Sequence, residues 1–142
     1  MTKNIIKNVR IWYLVTNYPN KCFSGGATDN VLDVYNKAAI FAFPSAYEGF
    51  GLALTEAMSA GLPVIGYKNC PAVNELIKDG ENGYLCEDGV NAFAQALDKL
   101  MSDEKLRKKM GKAAKEDMKQ YDSEKIWDMW ENLIEKSLTD KC

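Results

Sequence analysis

A glycine-containing loop and two glutamates are the residues of this sequence best suited to chemistry. Residues 44–51 read P-S-A-Y-E-G-F-G, and a second glutamate follows at Glu56. Glycines around an aromatic residue let the backbone approach a ligand closely, and N–H groups at the start of a following helix attract anions. Phosphate or pyrophosphate suits such a site, because several amides can converge on its oxygens. Taken alone, the loop also fits an ordinary strand-to-helix turn with capping glycines.

Histidine is absent from the sequence. Its absence excludes imidazole base catalysis, Ser-His-Asp triads, Cys-His dyads and the usual zinc ligand sets. The cysteines are widely spaced without a C-x-x-C pair, which predicts reduced thiols. Any chemistry must therefore rest on carboxylates, backbone amides or cations.

The composition is that of a folded globular protein. The 142 residues are 46% hydrophobic and 27% charged. The 18 basic and 20 acidic residues leave a net charge of -2, which lacks the basic excess expected for nucleic-acid binding. The longest apolar run, residues 38–43, is far shorter than the about 20 residues that span a bilayer. With no cleavable leader recognised either, we expect a cytoplasmic protein without a transmembrane helix.

The order of the predicted elements indicates an α/β fold. We predict strands at 9–16, 21–24, 40–43, 64–67 and 84–86. Helices are expected over 29–39, 51–60 and 72–78, followed by three consecutive helices of which the last covers 123–138. Thr28 or Asp29 would cap the first helix, whose apolar face carries Val31, Val34, Tyr35, Ala38 and Ala39. This alternation favours a single Rossmann-like domain over 1–142, with a mostly parallel sheet and helices on both faces.

Helical spacing also predicts which residues of the three final helices are buried. We expect Ser102 and Ser123 to cap the second and third of them. The residues predicted to be buried are Val90, Phe93, Ala94, Leu97 and Met101 in the first, Leu106, Met110, Ala113 and Ala114 in the second, and Trp127, Trp130, Ile134 and Leu138 in the third.

Two stretches of the sequence carry a resemblance to a known family. They are F-P-S-A-Y-E-G-F-G-L-A-L-T-E-A-M-S-A-G-L-P-V-I-G and the downstream C-P-A-V-N-E-L-I-K-D-G-E-N-G-Y-L. Together they resemble the C-terminal, nucleotide-sugar-binding domain of retaining GT-B glycosyltransferases, of the type called group 1 or family 4-like. The E-x7-E hallmark of these enzymes is matched by Glu48 and Glu56, and the similarity covers about residues 29–138.

The resemblance implies roles for particular residues. Glu48 would face the hydroxyls of the donor sugar as the catalytic candidate. Backbone amides at Phe50, Gly51 and Leu52 would receive the sugar and the distal phosphate. Glu56 would accept hydrogen bonds from both ribose hydroxyls, and a carboxylate with two acceptor oxygens suits a vicinal diol.

Other residues near this loop are weaker candidates. Gly49 belongs to the same donor-binding segment, and Ser45 is either a ligand contact or a turn residue. Gly25 and Gly26 match the place where the family's backbone meets the nucleotide base. Glu75 fits the outer part of the donor pocket or a surface position.

The implied activity is retaining, metal-independent hexosyl transfer from a UDP- or GDP-sugar. The sequence contains no D-x-D pair, so neither a metal nor another cofactor is expected. In this mechanism the acceptor attacks the face from which the nucleoside diphosphate departs, and the enzyme mainly stabilises the leaving phosphate. The alternatives are a non-catalytic nucleotide-sugar-binding or scaffold module that docks through the Trp127 and Trp130 helix, and a structural remnant without a ligand.

The sequence also departs from the family pattern. It has no G-R-x-x-x-x-K-G segment, which supplies the phosphate-binding cations in the family, and no N-terminal acceptor domain. We therefore expect an N-terminally truncated GT-B half: a fragment, a separately encoded half or a decayed relative. It would be inactive without an acceptor-binding partner, and its uncovered tryptophans would pack on the sheet or form a self-associating patch.

A lysine-rich segment follows residue 104. Its basic residues are predicted to form a solvated helix face, with weak contact to anionic lipid at the inner membrane surface as the alternative. They are Lys105, Arg107, Lys108, Lys109, Lys112, Lys115 and Lys119.

Overall fold

The computed structural model describes residues 13–16, 22–24 and 30–139, the first two segments as backbone only. The strands are β1 (Tyr13–Thr16), β2 (Cys22–Ser24), β3 (Ala38–Phe43), β4 (Val64–Tyr67) and β5 (Gly83–Cys86). The helices are α1 (Val31–Lys37), α2 (Leu52–Ser59), α3 (Val73–Leu76), α4 (Val90–Ser102), α5 (Glu104–Met118) and α6 (Ser123–Thr139), with a 3-10 turn at Lys119–Tyr121.

The strands form one five-stranded sheet in the order β2-β1-β3-β4-β5. β3, β4 and β5 run parallel, as the α/β prediction requires. β1 pairs antiparallel with both β2 and β3, so the parallel arrangement is confined to one half of the sheet. Only residues 17–21 separate β1 from β2, and a link this short joins antiparallel strands, whereas a parallel crossover needs about a dozen residues.

Helices cover both faces of the sheet, as predicted. On one face, Phe41 and Phe43 of β3 pack with buried residues of α1, α2 and α3. On the other, Ile40 and Ile65 pack with buried residues of α4. α5 contributes Met110 to one cluster and Ala114 and Met118 to the other. The alternation of side chains along a strand explains this division, because successive residues point to opposite faces.

The first helix is shorter than predicted. α1 starts after Asn30, whose side-chain oxygen accepts a hydrogen bond from the Asp33 amide at 3.3 Å. Ala38 and Ala39, predicted as helical, belong instead to β3, where Ala38 pairs with Thr16. Strand pairing outweighs the helical spacing of these two small residues. The predicted caps at 28 and 29 and strand residues 9–12 lie outside the described residues.

The remaining elements follow the prediction with small shifts. α2 and β4 match the predicted segments, and α3 is shorter than the predicted helix at 72–78. Ser102 does not cap α5, because it is the last residue of α4. Asp103 is the cap, and its carboxylate accepts a hydrogen bond from the Leu106 amide at 2.9 Å.

The buried face of α4 is rotated from the predicted one. Ala96 and Leu100 are buried, whereas Val90 is 81% exposed and Met101 and Ala94 are also exposed. The helix packs on β4 and β5 along a line that includes the half-buried Phe93 and Leu97. In α5, by contrast, Met110 and Ala114 are buried as predicted, and Leu106 and Ala113 are half-buried.

The prediction that α6 buries its apolar face is wrong. None of its residues is buried, and Trp127 and Trp130 are 68% and 55% exposed. Ile134 and Leu138 are exposed on the same face. Within the part of the chain that the structure describes, α6 is an amphipathic helix with an uncovered apolar face, as in the exposed-patch alternative.

α5 and the end of α2 approach each other closely at two glycines. A side-chain carbon on Gly111 would overlap the carbonyl oxygen of Gly61 and press on the Pro63 ring. Gly61 itself has a φ of +86°, a conformation that glycine adopts without strain. Gly111 therefore sets the distance between α5 and the helix that follows the candidate loop.

We predict that Gly111→Ala destabilises the protein by about 1–3 kcal/mol, the usual cost of forcing extra atoms into a close-packed contact. In a helix without this contact the same substitution should stabilise the protein, because alanine is favoured over glycine by about 1 kcal/mol in an unconstrained helix. The direction of the change in unfolding free energy therefore reports on the contact. Urea unfolding measures the change. Lys112→Ala, at the exposed neighbouring position, should leave the stability nearly unchanged, and a stabilising Gly111→Ala would contradict the close approach.

Candidate functional site

The candidate loop, residues 44–51, connects the end of β3 to the start of α2. β3 and β4 are parallel, so this loop and residues 68–72 after β4 leave from the same edge of the sheet. In open α/β sheets this carboxyl edge is where ligands bind. The fold thus places the predicted loop at the expected binding edge.

The entrance to α2 is built around Gly51. This residue is buried, has a φ of +78° and occupies the N-cap position without a side chain to cap the helix. The Leu54 and Thr55 amides donate to the Gly51 carbonyl oxygen, at 2.9 and 3.0 Å. The amides of Leu52 and Ala53 precede these bonds and have no acceptor within the helix, so they carry the positive end of its dipole. At Gly49, no described atom lies within 4 Å of the position a Cβ would take. The entrance is therefore open to an anion.

Ser45 and Glu48 interact within the loop. The Ser45 hydroxyl oxygen lies 2.7 Å from Glu48 Oε1 and 3.1 Å from the Tyr47 carbonyl oxygen. Both side chains are half-buried. The serine donates to the carboxylate and so orients it, which gives Ser45 a defined role inside the loop.

Glu56 lies one turn into α2 with an exposed side chain. Its Oε2 is 3.2 Å from the hydroxyl oxygen of Tyr35, which belongs to α1. Sequence reasoning placed Tyr35 only in the buried face of a helix. Its contact with Glu56 joins two helices and was not predictable from local spacing.

The aromatic residue of the loop has a partner far along the chain. Phe50 makes an edge-to-face contact with Tyr121, with ring centroids 5.7 Å apart. Tyr121 ends the 3-10 turn that precedes α6. The candidate loop and the start of α6 are thereby joined by one aromatic pair, which no sequence pattern indicated.

Of the remaining predicted site residues, the structure describes only Glu75. Gly25 and Gly26 lie outside the described residues. Glu75 is exposed on α3, and its place in the outer part of the pocket remains a prediction. Just before α3, Ala72 has a φ of +64°, which is rare for a residue with a side chain.

Asn82, in the downstream D-G-x-N-G stretch, is a structural residue. It is completely buried, accepts a hydrogen bond from the Lys78 amide at 2.9 Å, and donates to the Leu76 carbonyl oxygen at 3.1 Å. It also donates to Asp117 Oδ2 of α5 at 2.9 Å. These bonds hold the turn after α3 against α5.

Asp117 is charged in this setting. Burial is the largest influence on its pKa and opposes ionisation, but hydrogen bonds from Lys78 and Asn82 and the charge of Lys78 outweigh it. The Lys78 ammonium lies 2.6 Å from Asp117 Oδ1. The pKa of Asp117 is therefore below its usual value.

The lysines of α5 are exposed, as expected for a solvated face. Arg107 departs from that prediction, because it is half-buried and donates to the carbonyl oxygens of Leu100 and Met101 at the end of α4. Lys108 pairs with Glu104 and Lys119 with Glu116, both at 2.7 Å. Contact with lipid remains a prediction. Over residues 30–139, no cysteine and carboxylate side chains gather in threes as a metal-ligand group. In the same part of the chain, no helix combines the length and apolar character needed to cross a bilayer.

Comparison with known proteins decides the family. The family model of the glycosyl transferases group 1 matches residues 12–117. The chain belongs to this family. The predicted resemblance to group 1 glycosyltransferases and the transferase class are thereby confirmed at the level of the domain.

Relatives and solved structures agree with this membership. Over 117 residues, 81% of the chain, it is 37% identical to N-acetyl-alpha-D-glucosaminyl L-malate synthase of Bacillus anthracis and covers 30% of that protein. A structure of Staphylococcus aureus TarM in complex with UDP is 30% identical to the chain in sequence, with a TM-score of 0.66. The alignment covers 72% of this chain and 21% of the TarM chain. The C-terminal domain of a group 1 glycosyltransferase from Francisella tularensis is 35% identical to the chain, with a TM-score of 0.58. That alignment covers 68% of this chain and 51% of the Francisella chain.

These alignments confirm the α/β fold and fit a C-terminal donor domain of a GT-B glycosyltransferase. The chain spans 31%, 30% and 17% of the lengths of three curated relatives. The activity of those whole proteins is therefore not transferred to it directly.

The Asn82 network predicts an acid-sensitive contribution to stability. The lowered pKa of Asp117 makes its contribution complete above the unfolded-state pKa of about 3.9, and it is lost as pH falls through the folded-state pKa. We expect Asp117→Asn to cost about 1 kcal/mol at neutral pH. The difference from the unchanged protein should shrink between about pH 5 and pH 2.

Urea unfolding at a series of pH values tests this. Glu116→Gln, at an exposed neighbouring position, is the matched control and should show a smaller effect at neutral pH. A stability difference for Asp117→Asn that stays constant down to acid pH would contradict the assignment.

Proposed function

We propose that this chain is the donor-binding half of a hexosyltransferase that holds a UDP- or GDP-hexose across residues 48–56. The observation that carries the proposal is the geometry of one short segment. Two carboxylates, Glu48 and Glu56, flank the uncapped, glycine-formed entrance of α2 at the carboxyl edge of the sheet. Each part of the segment suits a different part of such a ligand.

The phosphates fit the entrance of α2. The left-handed conformation of Gly51 turns the chain into the helix, and the amides of Phe50, Gly51 and Leu52 supply donors there. A helix N-terminus favours a phosphate through these donors and through the dipole. Since these donors are backbone groups, they need no cationic side chain.

The sugar fits beside Glu48. Its carboxylate is half-buried and is oriented by the Ser45 hydroxyl. An oriented carboxylate accepts hydrogen bonds from sugar hydroxyls at a lower entropic cost than a freely rotating one. Glu48 is accordingly the proposed catalytic-site carboxylate on the sugar side.

The ribose fits at Glu56. Four residues along a helix correspond to about 6 Å, which separates Glu56 from the amide of Leu52 at the phosphate end. A carboxylate has about four acceptor positions, so it can bind two hydroxyls while keeping an internal partner. TarM, a relative in structure, was solved with UDP, which supports this class of ligand.

The proposed transfer is retaining and requires no metal. The acceptor attacks the sugar on the face that the nucleoside diphosphate leaves, and the amides at α2 stabilise the charge that develops on the departing phosphate. The acceptor is held by a separate acceptor-binding domain. We propose that the chain alone binds the donor without transferring it.

The uncovered face of α6 favours a second candidate function, that of a nucleotide-sugar-binding or scaffold module without catalysis. An exposed apolar face with two tryptophans is typical of a docking surface. Supplying the acceptor domain of a relative and assaying sugar transfer separates the two. Transfer supports the enzyme, and donor binding without transfer supports the scaffold.

The first test is calorimetric titration of the chain with UDP-glucose, GDP-mannose, UDP and GDP. We expect binding, with Glu56→Gln weakening it about tenfold or more, since hydrogen bonds to charged groups are strong. Glu131→Gln, at an exposed position of α6, should bind as the unchanged chain does. A folded chain that binds none of the four ligands would overturn the proposal.

A second variant separates the sugar from the nucleotide. Glu48→Gln should weaken the binding of the matching nucleotide sugar by about tenfold and leave the affinity for the bare nucleotide almost unchanged, because Glu48 faces only the sugar. The same titrations measure both. Equal losses for the two ligands would place Glu48 elsewhere in the site.

A further inference from the structure

We infer that Tyr35 is a positioning residue of the donor site, holding the Glu56 carboxylate in the orientation that a ribose diol requires. The inference rests on the proposed function and adds a residue from a different helix to the site. It starts from one contact, in which the Tyr35 hydroxyl lies 3.2 Å from Glu56 Oε2 and 3.4 Å from the Ala53 carbonyl oxygen. The hydroxyl thus donates mainly to the carboxylate.

The two partners lie in opposite surroundings. Tyr35 is only 4% exposed and belongs to the core beneath α2. Its ring makes an edge-to-face contact with Phe41 of β3, with centroids 5.9 Å apart. Glu56 is exposed to solvent. A donor fixed by core packing therefore reaches out to a carboxylate at the surface.

The phenol of Tyr35 remains a hydrogen-bond donor at neutral pH. Burial, followed by the charge of Glu56 and the hydrogen bond to it, raises the pKa of Tyr35 well above the usual value for tyrosine. The hydroxyl therefore stays protonated. Its proton has two acceptors nearby, the Glu56 carboxylate and the Ala53 carbonyl, of which the carboxylate is nearer.

An exposed glutamate gains from such a partner. Its long side chain samples many rotamers in solution, and fixing it for a ligand costs conformational entropy. The bond to Tyr35 restricts this freedom before the ligand arrives, which raises affinity by preorganisation. One acceptor position of the carboxylate is used by Tyr35, and the others remain for the two ribose hydroxyls.

The location of Tyr35 adds a second consequence. α1 comes after Gly25 and Gly26 in the sequence, the residues predicted to meet the nucleotide base, and α2 carries the residue predicted to meet the ribose. Tyr35 is the described hydrogen-bond donor of α1 that reaches α2. It therefore joins the helix that follows the predicted base-binding glycines to the helix that carries the predicted ribose-binding glutamate.

The test is Tyr35→Phe, which removes the hydroxyl and keeps the ring packed on Phe41. The probes are UDP and its 2′-deoxy analogue, with GDP and 2′-deoxy-GDP as a parallel pair, titrated calorimetrically into the full chain. We expect UDP or GDP binding to weaken about three- to tenfold, the value of one hydrogen bond, and the deoxy analogue to lose less. The ratio of the affinity for the ribonucleotide to that for its deoxy analogue should therefore be smaller in Tyr35→Phe than in the unchanged chain.

Two controls separate positioning from a general structural role. Tyr84→Phe removes a hydroxyl from a half-buried tyrosine on the opposite face of the sheet and should bind as the unchanged chain does. In a Glu56→Ala background, Tyr35→Phe should have almost no further effect on nucleotide affinity, because the acceptor that the hydroxyl positions is gone. Thermal melting of each variant reports on folding independently of binding.

The outcomes distinguish this inference from the function on which it rests. If the unchanged chain binds no nucleotide, the proposed function is overturned and this inference with it. If Glu56→Gln loses binding while Tyr35→Phe binds with unaltered affinity and diol preference, only the inference is overturned. The inference alone is also overturned if Tyr35→Phe weakens binding of the deoxy analogue as much as binding of the ribonucleotide, or keeps its full effect in the Glu56→Ala background.

Discussion

The burial of β3 on both of its faces is the constraint on which the rest of the structure depends. Ile40 faces one core cluster, while Phe41 and Phe43 stack in the other with ring centroids 5.7 Å apart. Removing this apolar surface from water fixes the strand between its neighbours, at about 25 cal/mol for each Å² buried. The end of β3 then has a single position, and the loop that carries Glu48 begins there. Phe41 also supports the ring of Tyr35, so the same strand underlies both sides of the candidate site.

α5 is the second support of the site, although none of its residues belongs to it. Its packing contributes to both core clusters, and Gly111 allows it to approach the end of α2. Through Asp117 it also holds the buried Asn82 and the turn after α3. The candidate loop is thus held between elements whose positions are fixed by packing at both of its ends. A site of this kind suits a ligand that must be held in one geometry, because little order has to be created on binding.

The two carboxylates of the candidate site differ in how predictable their surroundings were. Glu48 is oriented by Ser45, three positions away in the same loop, and sequence reasoning had singled out both residues. Glu56 is oriented by Tyr35, a residue of another helix that helical spacing assigned to the core. The assignment of Tyr35 to the core is correct, since the residue is buried, but its hydroxyl also hydrogen-bonds the side chain of an exposed glutamate. A periodicity describes which way a side chain points and not what its far end touches.

The sequence by itself determined the α/β class, the segments that became β4 and α2, and the loop with its glycine at the helix entrance, because each depends on residues close together in the chain. Only the tertiary structure decided that Ala38 and Ala39 extend β3, that β1 runs antiparallel, and which face α4 buries. It also left Trp127 and Trp130 uncovered on a helix whose pattern predicted burial. The physical reason is the same in each case. Strand pairing and burial are interactions with distant partners, and an apolar stripe specifies that a helix face can be covered without specifying what covers it.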